Sequence, residues 1–322
     1  MYKRQLLSIE INHPYFGPLV VKKPDAFIAD SEKWSFRSGI SALAGDPLFL
    51  VPGNVSDINI TAKNQLYTGI SGVIAERLGP GDASDITINA ETLEVRNGAV
   101  IANSNYYDGP GGSITINADN VELNGGGGFA GIVGASYMNP YFGQNNPYTG
   151  DPMQDPALTS ASAPVITINA MGTQDLTVRD GVAIPAGLTV RNGATINGES
   201  RSFGEGADII INASNILLSR DGAPGGSIAS QSVLAGDAGL IQIHAAGDID
   251  IQDGFEISAT TAGTGNGGTV SVTADGTISI SGENSGIASA TVEPPPDVKE
   301  YLADIVGFPD YETLVTTLQG FG

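Results

Sequence analysis

Between residues 58 and 274 one five-residue pattern of apolar and polar positions keeps returning. It reads Ile58-Asn-Ile-Thr-Ala62, Ile86-Thr-Ile-Asn-Ala90, Ile114-Thr-Ile-Asn-Ala118 and Ile166-Thr-Ile-Asn-Ala170, then Ile209-Ile-Ile-Asn-Ala213, Ile241-Gln-Ile-His-Ala245 and Val270-Ser-Val-Thr-Ala274. Apolar residues at every second position are the signature of a strand with one buried face. The fifth position is Ala in all seven copies, which predicts a crowded inward corner. Successive copies begin 28, 28, 52, 43, 32 and 29 residues apart.

A second apolar pair follows each copy: Leu93/Val95, Val121/Leu123, Leu176/Val178, Leu188/Val190, Ile216/Leu218, Ile249/Ile251 and Ile278/Ile280. Next comes Asn-Gly or Asp-Gly, as in the turns that open at Arg96, Arg179, Arg191 and Gln252. These dipeptides accept positive φ and let the chain corner. A third apolar position follows at Ile101, Ile184, Ile196 and Ile257. Three short strands per cycle of about 28 residues make one coil that cannot bury its own apolar face; stacking coils about 4.8 Å apart buries it. The expected fold is therefore all-β, a right-handed parallel β-helix over residues 38–292 with a long loop insertion at 137–162.

The flanks read differently. Residues 1–37 predict an irregular or degenerate first coil. Met1–Gln5 are expected to be non-native, a translated transposon end from library construction. After Thr291 the three prolines of "VEPPPD" give a stiff spacer. Short α-helices are expected at 297–306 and 310–318, laid as a cap over the last exposed strand edge.

Composition narrows the function. The 322 residues include 44 Gly, and 35 acidic against 14 basic side chains give a formal charge of −21. Such a surface repels nucleic acid and anionic membrane. Cysteine is absent, which excludes disulfides, Cys-ligated zinc and Cys nucleophiles. No apolar run is long enough to span a bilayer. His13 and His244, the two histidines, sit in unlike contexts.

The stretches "GPGDASDITINAETLEVRNGAVIANS" (79–104) and "GPGGSITINADNVELNGG" (109–126), with the Gly-Ile starts at Gly69, Gly131 and Gly286, resemble the repeats of filamentous-haemagglutinin-like exoproteins of two-partner secretion systems, of the long cyanobacterial type. The resemblance covers about residues 38–292. It implies a right-handed β-helix, export through an outer-membrane transporter partner, and a secreted or cell-surface, adhesin-like role in a bacterium. The Asn-Pro motifs of that family's secretion domain are not recognisable in this chain.

Several residues could carry chemistry. The series Asn89, Asn117, Asn169 and Asn212 is read as a stacked amide ladder rather than a ligand contact. His244 takes the same slot. Arg96, Arg179 and Arg191 are read as solvated cations offsetting nearby carboxylates, and Asp57, Asp85 and Asp208 as corner residues. The strongest interruption of the repeat is 137–162, with Tyr137, Tyr141, Phe142 and Tyr148, preceded by Tyr106 and Tyr107. Long insertions in a regular scaffold carry function, and aromatic faces beside amides suit sugar rings. Tyr106, Tyr107, Tyr141, Phe142 and Tyr148 are thus the candidate ligand-binding residues, with a neutral glycan as the expected ligand. No catalytic residue, metal site or cofactor is expected. A paired-carboxylate hydrolase and a polysaccharide lyase are the enzymatic alternatives, and a surface-layer or phage-spike scaffold is the structural one.

Overall fold

The computed structural model describes residues 57–69, 71–79, 82–137, 161–173, 176–179, 182–234, 236–262 and 265–293, together with 12–13, 17–18, 38–44 and isolated positions after 298. Its strands stack in parallel into a β-solenoid of about seven turns with three walls. Wall A is built from the Ile-x-Ile-x-Ala strands: Ile58–Thr61, the first halves of Ile86–Arg96 and Ser113–Asn124, then Val165–Ala170, Ile209–Ala213, Ile241–Ala245 and Val270–Ala274. Wall B holds Asn64–Thr68, the second halves of the same two long strands, Gly187–Arg191, Asn215–Ser219, Ile249–Gln252 and Ile278–Ile280. Wall C runs from Ser38–Ala44 through Ser71–Arg77, Val100–Asn105, Gly131–Tyr137, Thr195–Arg201, Ser227–Ser232 and Glu256–Thr261 to Gly286–Thr291.

Register follows the repeat residue for residue. Ile86 lies over Ile114, Ile88 over Ile116 and Ala90 over Ala118, and on the far side Ile166 and Ile168 continue both columns. Each copy of the strand is its neighbour's hydrogen-bonding partner, which is why the sequence must repeat. These isoleucines have no exposed surface and form one core with Leu93, Val121, Leu188, Leu218 and Ile249. The corner alanines Ala170, Ala213 and Ala245 are likewise sealed, whereas Ala90 and Ala118 are half-buried.

The turns from wall B to wall C use the Asn-Gly and Asp-Gly pairs. Both residues of Asn97-Gly98, Asn192-Gly193, Asp221-Gly222 and Asp253-Gly254 have positive φ. At the turns into walls A and B a side chain from one turn accepts the amide of the next. Asp57 takes Asp85 N at 3.1 Å, Asp85 takes Ser113 N at 2.7 Å, Asp208 takes Leu240 N at 2.8 Å and Asp237 takes Asn266 N at 2.6 Å. Asn120 takes Gly187 N at 2.9 Å and Asp248 takes Thr277 N at 2.7 Å. The recurrent Asp residues are thus corner residues, as the sequence suggests.

Two readings need correction. Leu176/Val178 do not form a wall B strand. Leu176–Arg179 pairs antiparallel with Val182–Ile184 as a hairpin, and Leu188/Val190 stack on Val121/Leu123 instead. The 43-residue interval is therefore an insertion at the corner between walls A and B, and Ile184 belongs to that insertion rather than to wall C. Of the three arginines, the Arg179 side chain lies outside the described residues and the two on wall B are at least partly withdrawn from solvent. Arg191 is buried and pairs with Asp221 at 2.9 Å, and Arg96 lies between Glu94 and the fully buried Glu122. They do offset carboxylates, Arg191 out of water and Arg96 partly so.

The flanks are described only in part. Asn12–His13 pairs antiparallel with Gly17–Pro18, and Ser38–Ala44 already belongs to wall C. Lys299, Ala303, Glu312, Thr313 and Thr316 are helical. Asp310 accepts the Thr313 amide at 2.7 Å, an N-cap bond at the start expected for the second helix. The expected cap over the last turn and the character of Met1–Gln5 lie outside the described residues.

Candidate functional site

The inner side of wall C changes character along each strand. One apolar residue (Val73, Ile101, Ile132, Ile196, Ile228 or Ile257) is followed by a small or polar one and then by Arg77, Asn105, Ser136, Ser200, Ser232 or Thr261, all buried. This polar seam satisfies the backbone of the turns that lead back to wall A. Ser200 donates to Gly204 O at 2.7 Å, and Thr261 donates to Asn266 O at 2.6 Å. Asn105 donates to Gly109 O at 3.0 Å and to Ser162 O at 3.1 Å. Asn105 therefore ties the turn carrying Tyr106 and Tyr107 to the residues where the chain rejoins the stack after the long interruption. A bridge from Gly109 to Ala161 closes the same junction.

Around this tie the aromatic residues gather. The Tyr106 and Tyr137 rings stack with centroids 5.0 Å apart and planes 22° from parallel. The Tyr106 amide donates to Arg77 O at 2.9 Å, and the Tyr107 amide donates to Asn105 Oδ1 at 3.2 Å. The Arg77 guanidinium lies over the Tyr107 ring at 5.3 Å and donates to Pro110 O at 3.3 Å. Its Nε is buried without a hydrogen-bond partner.

The electrostatics follow from burial. Burial, with Glu76 and Tyr137 nearby, holds the Tyr106 hydroxyl well above the ordinary tyrosine range. Burial also raises the Glu76 carboxyl. It lowers Arg77, against the opposing pull of Tyr107, Asp108 and Asp82. Tyr106 therefore stays a protonated donor throughout the neutral range, and the cluster offers two fixed rings, a cation on a ring face and carboxyl groups at the rim. That inventory suits holding a polar, ring-shaped ligand.

Of the five predicted site residues, Tyr106 and Tyr107 lie in this cluster, both half-buried. Tyr141, Phe142 and Tyr148 lie outside the described residues. Sequence reading missed Arg77 and Glu76, which end the wall C strand one turn earlier; the cross-turn register brings them in. A lone Arg after an apolar strand gives no signal unless the turns are aligned on wall C rather than on wall A.

The amide ladder is present on the outer side of wall A. Asn117 donates to Asn89 at 3.0 Å, Asn169 to Asn117 at 2.9 Å and Asn212 to Asn169 at 3.0 Å. His244 continues the column and meets Thr273 at 3.1 Å. Among the described residues no group of three or more His, Cys, Asp or Glu converges as a metal site would require, and no helix is long and apolar enough to cross a membrane.

No family model matches this sequence, and neither the curated proteins nor the solved structures give a match. What stands is the fold, a β-solenoid of the kind on which β-helical repeat proteins, adhesins among them, are built.

Proposed function

We propose that the chain is a secreted or cell-surface, adhesin-like binding protein without catalytic activity, exported with the help of an outer-membrane transporter. Its ligand contact is the aromatic cluster where the turn rhythm breaks, and its ligand is a neutral glycan. The observation that carries the reading is the stacked Tyr106–Tyr137 pair beside the Arg77–Tyr107 contact, at the junction flanking the 52-residue interval. Most turns repeat, so specificity is expected where they are interrupted, and this junction flanks the longest interval. The cluster's edges are hydroxyls and amides, which pair with sugar hydroxyls while the rings supply apolar contact.

The test is a glycan array probed with the wild-type chain and with Tyr107→Ala, Tyr137→Ala and Tyr141→Ala combined. Loss of array binding with an unchanged circular dichroism spectrum is the expected result. Binding that survives the triple change moves the contact elsewhere on the solenoid. Export is tested separately, by co-expression with a two-partner transporter and assay of the medium.

A further inference from the structure

The outer face of wall A differs from the rest of the surface. Fourteen outward positions at the centre of its strands, two on each of seven turns, form two columns. One is Asn59, Thr87, Thr115, Thr167, Ile210, Gln242 and Ser271; the other is Thr61, Asn89, Asn117, Asn169, Asn212, His244 and Thr273. None is Asp, Glu, Lys or Arg, none is Phe, Tyr or Trp, and none is buried. The whole chain is 15% charged, so about two charges would be ordinary over fourteen positions. The outward positions of wall B carry the exposed Asp250 and the buried Glu94 and Glu122, and those of wall C carry Glu76, Glu199 and Arg201. In a chain of net charge −21 the charges have been kept off the centre of this wall and stand at its leading edge, at Asp57, Asp85 and Asp208.

That wall is also regular and stiff. The columns repeat about every 4.8 Å along the stack and stand about 6.6–6.8 Å apart along each strand. Thr87, Thr115 and Thr167 are in register on three consecutive turns. Threonine is stiff at χ1, and the neighbouring amides are fixed to one another by the ladder. The three Thr hydroxyls have no hydrogen-bond partner among the described residues, so each presents a methyl and a free hydroxyl on a flat two-dimensional grid.

We propose that this face binds ice. A crystal of water offers a planar, periodic array of donors and acceptors without charge. A rigid grid of hydroxyls and methyls orders water above it into a repeating layer that can join the lattice. Charged side chains would hold hydration shells incompatible with that layer, which accounts for their exclusion. A saccharide surface would call for aromatic stacking platforms, and wall A has none. The inference is independent of the aromatic cluster on wall C.

The test uses the full chain and ice itself. A dilute solution is frozen slowly from a cold surface, and the protein in the ice is compared with that left in the liquid; crystal shape is recorded near the melting point. The wild type is expected to be enriched in the ice several-fold over Thr115→Tyr, which places a large ring at the centre of the grid. Thr87→Tyr and Thr167→Tyr repeat the test on other turns, so a folding failure in one variant leaves the others. Asp250→Tyr, on wall B, is expected to partition like the wild type. Exclusion of the wild type from ice to the same degree as Thr115→Tyr overturns the proposal. So does equal loss of uptake in Asp250→Tyr, or binding to powdered crystalline cellulose without uptake into ice.

Discussion

Replacing the ladder asparagines one at a time by aspartate keeps the shape, removes one donor and adds a titratable carboxyl, and the direction of the ladder decides the cost. Asn169 donates to Asn117 Oδ1 at 2.9 Å and accepts from Asn212 at 3.0 Å. In Asn169→Asp the second bond survives, but two acceptors now face each other where the first one was. Leaving a partly buried polar group without its partner costs about 1–3 kcal/mol. Asn212→Asp loses the same kind of bond and carries the same cost. Asn89 donates only across 3.5 Å to Thr61, whose hydroxyl can turn and donate instead, and it keeps its acceptor role toward Asn117. Asn89→Asp is therefore expected to be close to neutral.

The introduced carboxyl at 169 regains the lost bond when it is protonated, so its folded-state pKa lies above its unfolded value of about 3.9. At about 1.4 kcal/mol per unit the penalty raises it by roughly one to two units. Within that window the folded state binds more protons than the unfolded one, so the variant loses stability as pH rises through it and regains it near pH 4. Urea unfolding followed by circular dichroism at pH 7.5, 5.5 and 4.0, each value taken as a difference from the wild type, measures this. Asn169→Ala supplies a pH-independent reference. Equal costs at 89, 169 and 212, or a gap at 169 that ignores pH, refute the ladder.

Other perturbations probe the core and its polar inclusions. A methyl on Gly198 would lie 2.3 Å from Ala207 Cβ, so Gly198→Ala is expected to lower stability by about 1–3 kcal/mol, with recovery in the Gly198→Ala, Ala207→Gly double variant on thermal melting. Arg96→Met leaves the fully buried Glu122 carboxylate without its cation and is expected to cost about 3–5 kcal/mol, much of it returned by adding Glu122→Met. Burial pushes the Tyr67 hydroxyl up to about 12. The folded state therefore holds a proton that the unfolded chain loses near pH 10, and stability falls as pH rises from there to about 12; Tyr67→Phe should show a shallower alkaline slope in the same melts.

The repeat made walls A and B legible, because Ile-x-Ile-x-Ala and the Asn-Gly corners answer to strand period and positive φ alone. It also misled. Leu176-Thr-Val-Arg-Asp-Gly-Val-Ala-Ile184 and Leu188-Thr-Val-Arg-Asn-Gly-Ala-Thr-Ile196 carry nearly the same pattern, yet only the second enters the stack. The residue after each motif decides between them. Asn197 follows the second copy and pairs on both sides in wall C. Pro185 follows the first, and a residue without an N–H cannot sit in a strand bonded on both edges. The polar seam of Asn105, Ser136 and Ser200 was hidden for another reason. Single Ser and Asn residues in a Gly-rich stretch read as loop, and only the register shows that they face inward. The same holds for Arg77 beside Tyr107, 30 residues apart in the chain.

The corner bonds have an orientation. In each pair from Asp57 to Asp248 the acceptor side chain belongs to the earlier turn and the amide to the later one. A turn added to the C-terminal end of a finished stack finds its corner acceptor already in position, on a side chain held by a folded strand. A turn added at the opposite end must bring its own acceptor out of a disordered segment and aim it at an amide that is already fixed. These bonds thus leave acceptors ready at the C-terminal end of the stack, while those from Ala238 N to Thr261, Gly254 N to Ser285 and Gly267 N to Thr291 run the other way and leave amides waiting there.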